Sequence, residues 1–204
     1  MDRFRLLNRA LQVGLVVVFA FGVLARNVSV VVNALAGFGV TLVPAVLARD
    51  RDLLLDPRFA LVVTAAVFLH SIGMIGLYDR VWWWDHLTHT FSATVVAVVA
   101  YTVVWAVDVH REDIHLPPPF TGLFVLAFVL AMGVLWEVAE FLAREVAIRL
   151  GQEPVLILYG LEDSMFDLLF NLLGGLVVTV FATTRLRHWG EDLAGWLDRR
   201  LEAR

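Results

Sequence analysis

Six long apolar stretches alternate with short polar connectors along the chain, at about residues 10–25, 28–48, 59–78, 87–107, 120–143 and 165–184. A helix that crosses the bilayer needs about 20 predominantly apolar residues. The pattern therefore predicts an all-α fold, a polytopic membrane bundle of about six transmembrane helices. The first stretch is short, and Arg26-Asn27 leaves little room for a turn. Helices one and two must then form a tight hairpin, or the first must begin deeper in the N-terminal arm. Beyond residue 185 the pattern changes. Trp189, Leu193, Trp196, Leu197 and Leu201 recur at helical spacing with charges between them, which predicts an amphipathic helix lying in the inner interface or packing against a partner. The chain thus divides into a six-helix transmembrane domain over 1–185 and a cytoplasmic amphipathic tail over 186–204. Pro117-Pro118-Pro119 predicts a stiff extended spacer before the fifth span, because proline cannot continue a helix.

Composition agrees with that reading. The 204 residues are 60% hydrophobic and have a mean hydropathy of +0.78, well above a soluble domain. All 16 basic residues are Arg, so Schiff-base and Ser-Lys chemistry are excluded. With no cysteine, disulfides, thiolate ligands and cysteine nucleophiles are excluded too. The net charge of −4 and the lack of a basic, aromatic-laced patch exclude a nucleic-acid partner. The first apolar run passes directly into the second, as a retained span does and a cleaved signal does not. Six spans place 12 of the arginines on the side of the termini and 4 opposite. Arginine is retained inside, which predicts cytoplasmic termini and a multi-pass protein of the plasma or inner membrane.

Three polar stretches interrupt this pattern. They are Trp82-Trp83-Trp84-Asp85-His86-Leu87-Thr88-His89, then Trp136-Glu137-Val138-Ala139-Glu140, then Asp163-Ser164-Met165-Phe166-Asp167 followed by Asn171. In the predicted topology helix four starts, helix five ends and helix six starts at the outer face, so the three stretches meet there. At a rise of about 1.5 Å per residue, Asp85 lies at the boundary, His89 and Asp167 roughly 3 to 5 Å in, and Glu137 and Asn171 roughly 9 Å in. Spacings of three and four put Asp85 with His89, Glu137 with Glu140, and Asp163 with Asp167 and Asn171 on one face of each helix.

Five acids facing one or two histidines, with no Arg in the apolar spans, would force some carboxyls to take up protons unless a cation bridges them. Carboxylates and a His projecting inward from separate helices are how helical bundles hold Zn, Mn or Fe. In this reading Asp85, His89, Asp163 and Asp167 are ligands of a divalent metal. Glu137 and Glu140 are the catalytic candidates, as ligand or general base. Asn171 orients a ligand or the substrate, and His86, turned about 100° from Asp85, ranks below His89. Such a site at the outer leaflet points to a metal-dependent hydrolase or transferase whose partners are membrane lipids or a lipid-linked envelope substrate. No motif specifies an oligomeric state.

Asp85-x-x-x-His89, Trp136-Glu137-x-x-Glu140 and the Asp163/Asp167 stretch ahead of Gly174-Gly175 resemble the YjdF-like family of small inner-membrane proteins. More distantly, Asp85-x-x-x-His89 and Asp167-x-x-x-Asn171-x-x-Gly174 are similar to the VanZ-like family, which is linked to glycopeptide-antibiotic resistance. The resemblance spans about residues 59–184 and implies architecture and a cell-envelope location.

Other readings stand beside this one. The acids could be relay sites of a proton- or cation-coupled carrier, although helices four to six offer little polarity below Asn171 and Glu137 beyond Thr102 and Thr179. They could also form a structural network in an accessory subunit, using the i,i+4 pairs Glu140/Arg144 and Glu145/Arg149. Trp82, Trp83 and Trp84 read as an interfacial belt. His70 reads as hydrogen-bonded to a neighbouring helix, and Gly174-Gly175 as a close helix contact.

Overall fold

The computed structural model describes residues 3–47, 56–110, 115–152, 154–156, 159–181 and 184–202. Among the described residues all regular structure is helical. Six helices are long and apolar enough to cross a membrane: α1 (Arg3–Leu24), α2 (Val28–Leu47), α3 (Pro57–Arg80), α4 (Trp84–His110), α5 (Pro118–Leu150) and α6 (Leu161–Phe181). A seventh, α7 (Thr184–Glu202), follows. The protein is a polytopic helical membrane bundle. Much of its outer surface is apolar, with Leu24 85%, Val180 70% and Leu123 68% exposed, as helices facing hydrocarbon require.

Local chemistry sets the helix ends. Both expectations for the first hairpin hold: α1 reaches back into the N-terminal arm, and the turn to α2 is three residues long. Arg26 adopts a left-handed conformation there (φ 54°), and Asn27 Oδ1 accepts from the Val30 amide at 3.0 Å, satisfying a donor that the helix start would otherwise leave open. Asp56 caps α3 in the same way, accepting from the Arg58 amide at 2.8 Å. The proline run departs from expectation. Pro117 is extended (φ −63°, ψ 148°), but Pro118 and Pro119 open α5, because a first helical turn needs no amide donor and suits the fixed proline φ. The expected polar loop around them includes residues 111–114, which lie outside the described residues.

The helices pack as two groups. In the first, α1, α2 and α3 contact one another around Val18, Val30, Ala34 and Met74. In the second, α4, α5 and α6 contact one another around Ala97, Tyr101, Val125, Val129 and Val178. The groups join along α3 and α4, whereas among the described residues α2 and α5 share no extended contact. The tightest seam is α4 against α6. A Cβ on Gly174 would lie 2.4 Å from the Thr90 carbonyl oxygen and 3.0 Å from the Thr94 amide nitrogen, so the two backbones approach as only glycine permits. The tail helix α7 folds back on α4. Gly190 sits against the Trp105 ring, the Arg187 guanidinium lies 4.9 Å above that ring, and His110 pairs with Asp198.

The α4/α6 seam yields a direct test. Gly174→Ala must force two backbones apart and is expected to destabilise by about 1–3 kcal/mol. Gly122→Ala, whose Cβ would meet nothing within 4 Å, should leave the unfolding midpoint unchanged or slightly higher. Thermal unfolding of the two variants in detergent separates these outcomes.

Candidate functional site

The first two turns of α4 and α6 bring three side chains together. One ligand atom each from Asp85, His89 and Asp167 lies within 4.8 Å of the other two. His89 Nε2 is 3.5 Å from Asp85 Oδ1 and 3.7 Å from Asp167 Oδ1. Asp85 and His89 share a face of α4 by their i,i+4 spacing, and Gly174 lets α6 approach closely enough for Asp167 to complete the group.

Burial sharpens the picture. Asp167 is 1% exposed, and its Oδ1 has no hydrogen-bond partner. On α5, both carboxylate oxygens of Glu137 are also buried without a partner, within reach of the charges of His89, Asp163 and Asp85. The neighbouring Ser164 hydroxyl is turned to the Gly160 carbonyl at 3.3 Å. Oxygens left bare in this way are costly in a protein interior. Asn171, 6% exposed, lies beside His89 and packs over Gly133, where a Cβ would come within 2.7 Å of its Nδ2.

The other candidates fall outside the three-residue group. Asp163 is half-buried and acts on the group through its charge. Glu140, 6% exposed, accepts from Trp136 Nε1 at 2.8 Å, and among the described residues no ion pair joins it to Arg144. His86 turns away, stacking on Phe170 with ring centroids 4.3 Å apart and planes 8° apart. Of the three tryptophans, Trp82 is 81% exposed, while Trp84 Nε1 donates to the Leu69 carbonyl at 3.3 Å.

A second polar arrangement supports the group; His70 and Thr88 stood out in the sequence, whereas Asn33, Tyr78 and Val155 did not. Asn33 of α2 donates through Nδ2 to the Val155 carbonyl at 2.7 Å, an oxygen that also accepts from the Ser29 hydroxyl at 2.8 Å. His70 Nε2 donates to Asn33 Oδ1 at 3.0 Å, as expected of a lone His beside another helix. The Tyr78 hydroxyl lies 2.8 Å from His70 Nδ1 and 3.3 Å from Thr88 Oγ1, and Thr88 donates to the Asp85 carbonyl at 2.8 Å. Tyr78 reaches this position because α3 loosens into a π-turn over Gly73–Leu77, with Gly76 at φ 108°. It also needs Gly73, where a Cβ would lie 2.4 Å from the Tyr78 ring. The available signal was Asn33, an amide in the middle of an apolar run.

Tyr159, just before α6, also reaches this end. Tyr159 donates to Asp79 Oδ1 at 2.7 Å. Partial burial, followed by the hydrogen bond to Asp79 and that residue's charge, pushes its hydroxyl well above the usual phenol range, so it stays a donor. Below the group lies a cavity of about 360 Å³, lined by apolar side chains and by Asn33, His70, Ser71, Thr88, His89, Ser92 and Asn171. His89 and Asn171 therefore belong to both features.

The model of the family described as "Predicted membrane protein (DUF2238)" matches residues 7–188, nearly the whole chain and more than the 59–184 region that carried the resemblance. An uncharacterised protein of Thermotoga maritima is 27% identical over 181 residues, covering 85% of this chain and 86% of the relative. No solved structure matches.

The chain of bonds from Val155 to Asp85 predicts its own energetics. Asn33→Ala strips His70 of its acceptor and should destabilise by about 1–3 kcal/mol. The double variant Asn33→Ala/His70→Ala should be less destabilised than the sum of the singles, by about 0.5 kcal/mol or more. Denaturation of the four proteins in one detergent reads this coupling, and strict additivity would mean that the two side chains do not interact.

Proposed function

The chain belongs to the DUF2238 family of predicted membrane proteins, and from that premise we propose that Asp85, His89 and Asp167 hold a divalent Zn, Mn or Fe ion. The ion would serve hydrolysis or group transfer on a lipid or lipid-linked envelope substrate. The observation that carries this reading is the spacing of the ligand atoms. Metal–ligand bonds of about 2.0–2.2 Å in a tetrahedron leave edges of about 3.3–3.6 Å. The separations of 3.5 Å and 3.7 Å are close to such edges and long for hydrogen bonds. The buried Asp167 Oδ1 has no hydrogen-bond partner, which leaves it available as a ligand.

One His and two carboxylates leave a coordination position open, where a bound ion would polarise a phosphoryl or carbonyl oxygen and acidify water. The other roles belong to this chain's own groups. Glu137, with both oxygens free, is placed to take up a proton beside His89. Glu140 has one oxygen occupied by Trp136 and lines a small cavity with Asp85, His89 and Tyr159. Asn171 orients His89 or a bound oxygen, and Asp163 adds negative charge that favours a cation. The arginine asymmetry of the sequence supports an outer-face site, and the resemblance of Asp85-x-x-x-His89 to the VanZ-like pattern is in keeping with an envelope substrate. The carrier reading is less well supported, since the cavity below the group has no ionisable lining residue besides His70 and His89, where a proton or ion route would need more.

The test is elemental mass spectrometry on protein purified gently and without chelators, beside Asp85→Ala, His89→Ala and Asp167→Asn. Near-stoichiometric Zn, Mn or Fe is expected in the wild type and a substoichiometric residue in each variant. Chelation should lower the unfolding midpoint of the wild type alone. A metal-free wild type whose midpoint ignores added Zn, Mn or Fe would overturn the assignment.

A further inference from the structure

The cavity beneath the three-residue group has an unusual wall. It lies between the two helix groups, bounded on one side by Ala36, Gly37 and Val40 of α2 and on the other by Val129, Met132 and Trp136 of α5. Among the described residues these helices share no extended contact, so the wall is open between them. Exposure marks the opening: Ala36 is exposed, as are Val40 at 42%, Met132 at 40% and Trp136 at 40%. Val40 stands about 18 Å along α2 from its start at the site end. The opening therefore faces the middle of the bilayer, where the surroundings are hydrocarbon chains.

The interior is graded. At the level of Val40, Val67, Val96 and Val129 the lining is aliphatic, whereas near the site end it carries His70, Thr88, His89 and Asn171. Its volume of about 360 Å³ falls in the range of small-molecule sites. An apolar slot open to hydrocarbon at one level and ending in hydrogen-bonding groups at the other is complementary to an amphiphile lying along the bilayer normal.

We infer that this cavity binds one acyl chain of a membrane glycerophospholipid. The chain enters sideways between α2 and α5, and the ester or phosphate end rests against His89 and Asn171. This deepens the reading of the site above, since it would bring a phosphoryl or ester oxygen to Asp85, His89 and Asp167, but the binding of the chain does not require the metal.

The experiment uses the full-length protein in vesicles of phosphatidylglycerol and phosphatidylethanolamine containing a trace of phosphatidylglycerol with a diazirine on one acyl chain. After irradiation, labelled residues are mapped by peptide mass spectrometry and metal content is measured on the same sample. The expected result is label on Val67, Ser92 or Val96, inside the cavity, as well as on lipid-facing residues such as Leu123 and Val180. Ala36→Trp and Met132→Trp fill the opening at exposed positions that tolerate bulk. They should reduce the interior label on the order of tenfold while leaving label at Leu123 and Val180 and the metal content unchanged. Label confined to lipid-facing residues in the wild type, with metal retained, would overturn this inference and spare the metal site. Interior label without metal would sustain it and remove the metal reading. Interior label from a diazirine fatty acid but none from the phospholipid would also overturn it, assigning the cavity to a free carboxylate amphiphile.

Discussion

Acidic side chains inside a bilayer-spanning bundle need a counter-charge, and the architecture of this end of the protein follows from that constraint. Asp167 is nearly inaccessible, and the basic group within ion-pair distance of it is His89, which is shared with Asp85. One imidazole cannot offset Asp85, Asp167, Glu137 and Asp163 together, and the unpartnered oxygens on Asp167 and Glu137 record the shortfall. In a low-dielectric interior such a deficit is met by protons or by a cation. His89 stands 3.5 Å from Asp85 and 3.7 Å from Asp167, longer than hydrogen bonds, and the proposed cation would relieve the deficit.

Holding these groups together against their repulsion takes rigid support, and two features provide it. The first is the Gly174 contact, which brings α6 onto the α4 backbone at Thr90 and Thr94, directly after His89. The second is the line of hydrogen bonds from Val155 through Asn33, His70, Tyr78 and Thr88 to the Asp85 carbonyl. It crosses from the α5–α6 connection to α2, α3 and α4, and so ties the two helix groups where few apolar contacts join them. Polar links of this kind hold helices together in lipid, where hydrophobic burial gives little preference for one packing over another.

The span count, the helical class and the polar faces were legible because each depends on local pattern: apolar length, and spacings of three and four. Asp85 with His89 is a property of one helix, and the shared level of Asp85 and Asp167 follows from where two helices begin. Asp163 shows the limit of this reasoning. It occupies the same face of α6 as Asp167, but the ligand atoms that come within 4.8 Å of one another are those of Asp85, His89 and Asp167, and which member of a helical stripe meets a neighbouring helix depends on how the helices pack. The role of Asn33, the π-turn that delivers Tyr78 and the reach of Val155 to α2 depend on tertiary register. A lone amide in an apolar run announces only that a partner exists. The proline run misled for a different reason: proline stops a helix from its interior but starts one from its first turn, and which applies depends on where the helix begins.

Asn171 links the site to the space below it. Its amide lies beside His89 and against Gly133, and Gly133 belongs to the α5 wall of the cavity. A larger residue at 133 would displace the amide, so the small side chain that permits Asn171 to stand there also helps to open the slot. The space and the polar group at its top are thus set by the same packing choice on α5. A gap left by poor fit would show no such correlation. Here the slot ends at the side chains with unsatisfied chemistry, and its open wall faces hydrocarbon, which is the arrangement expected when the ligand arrives from the bilayer rather than from water.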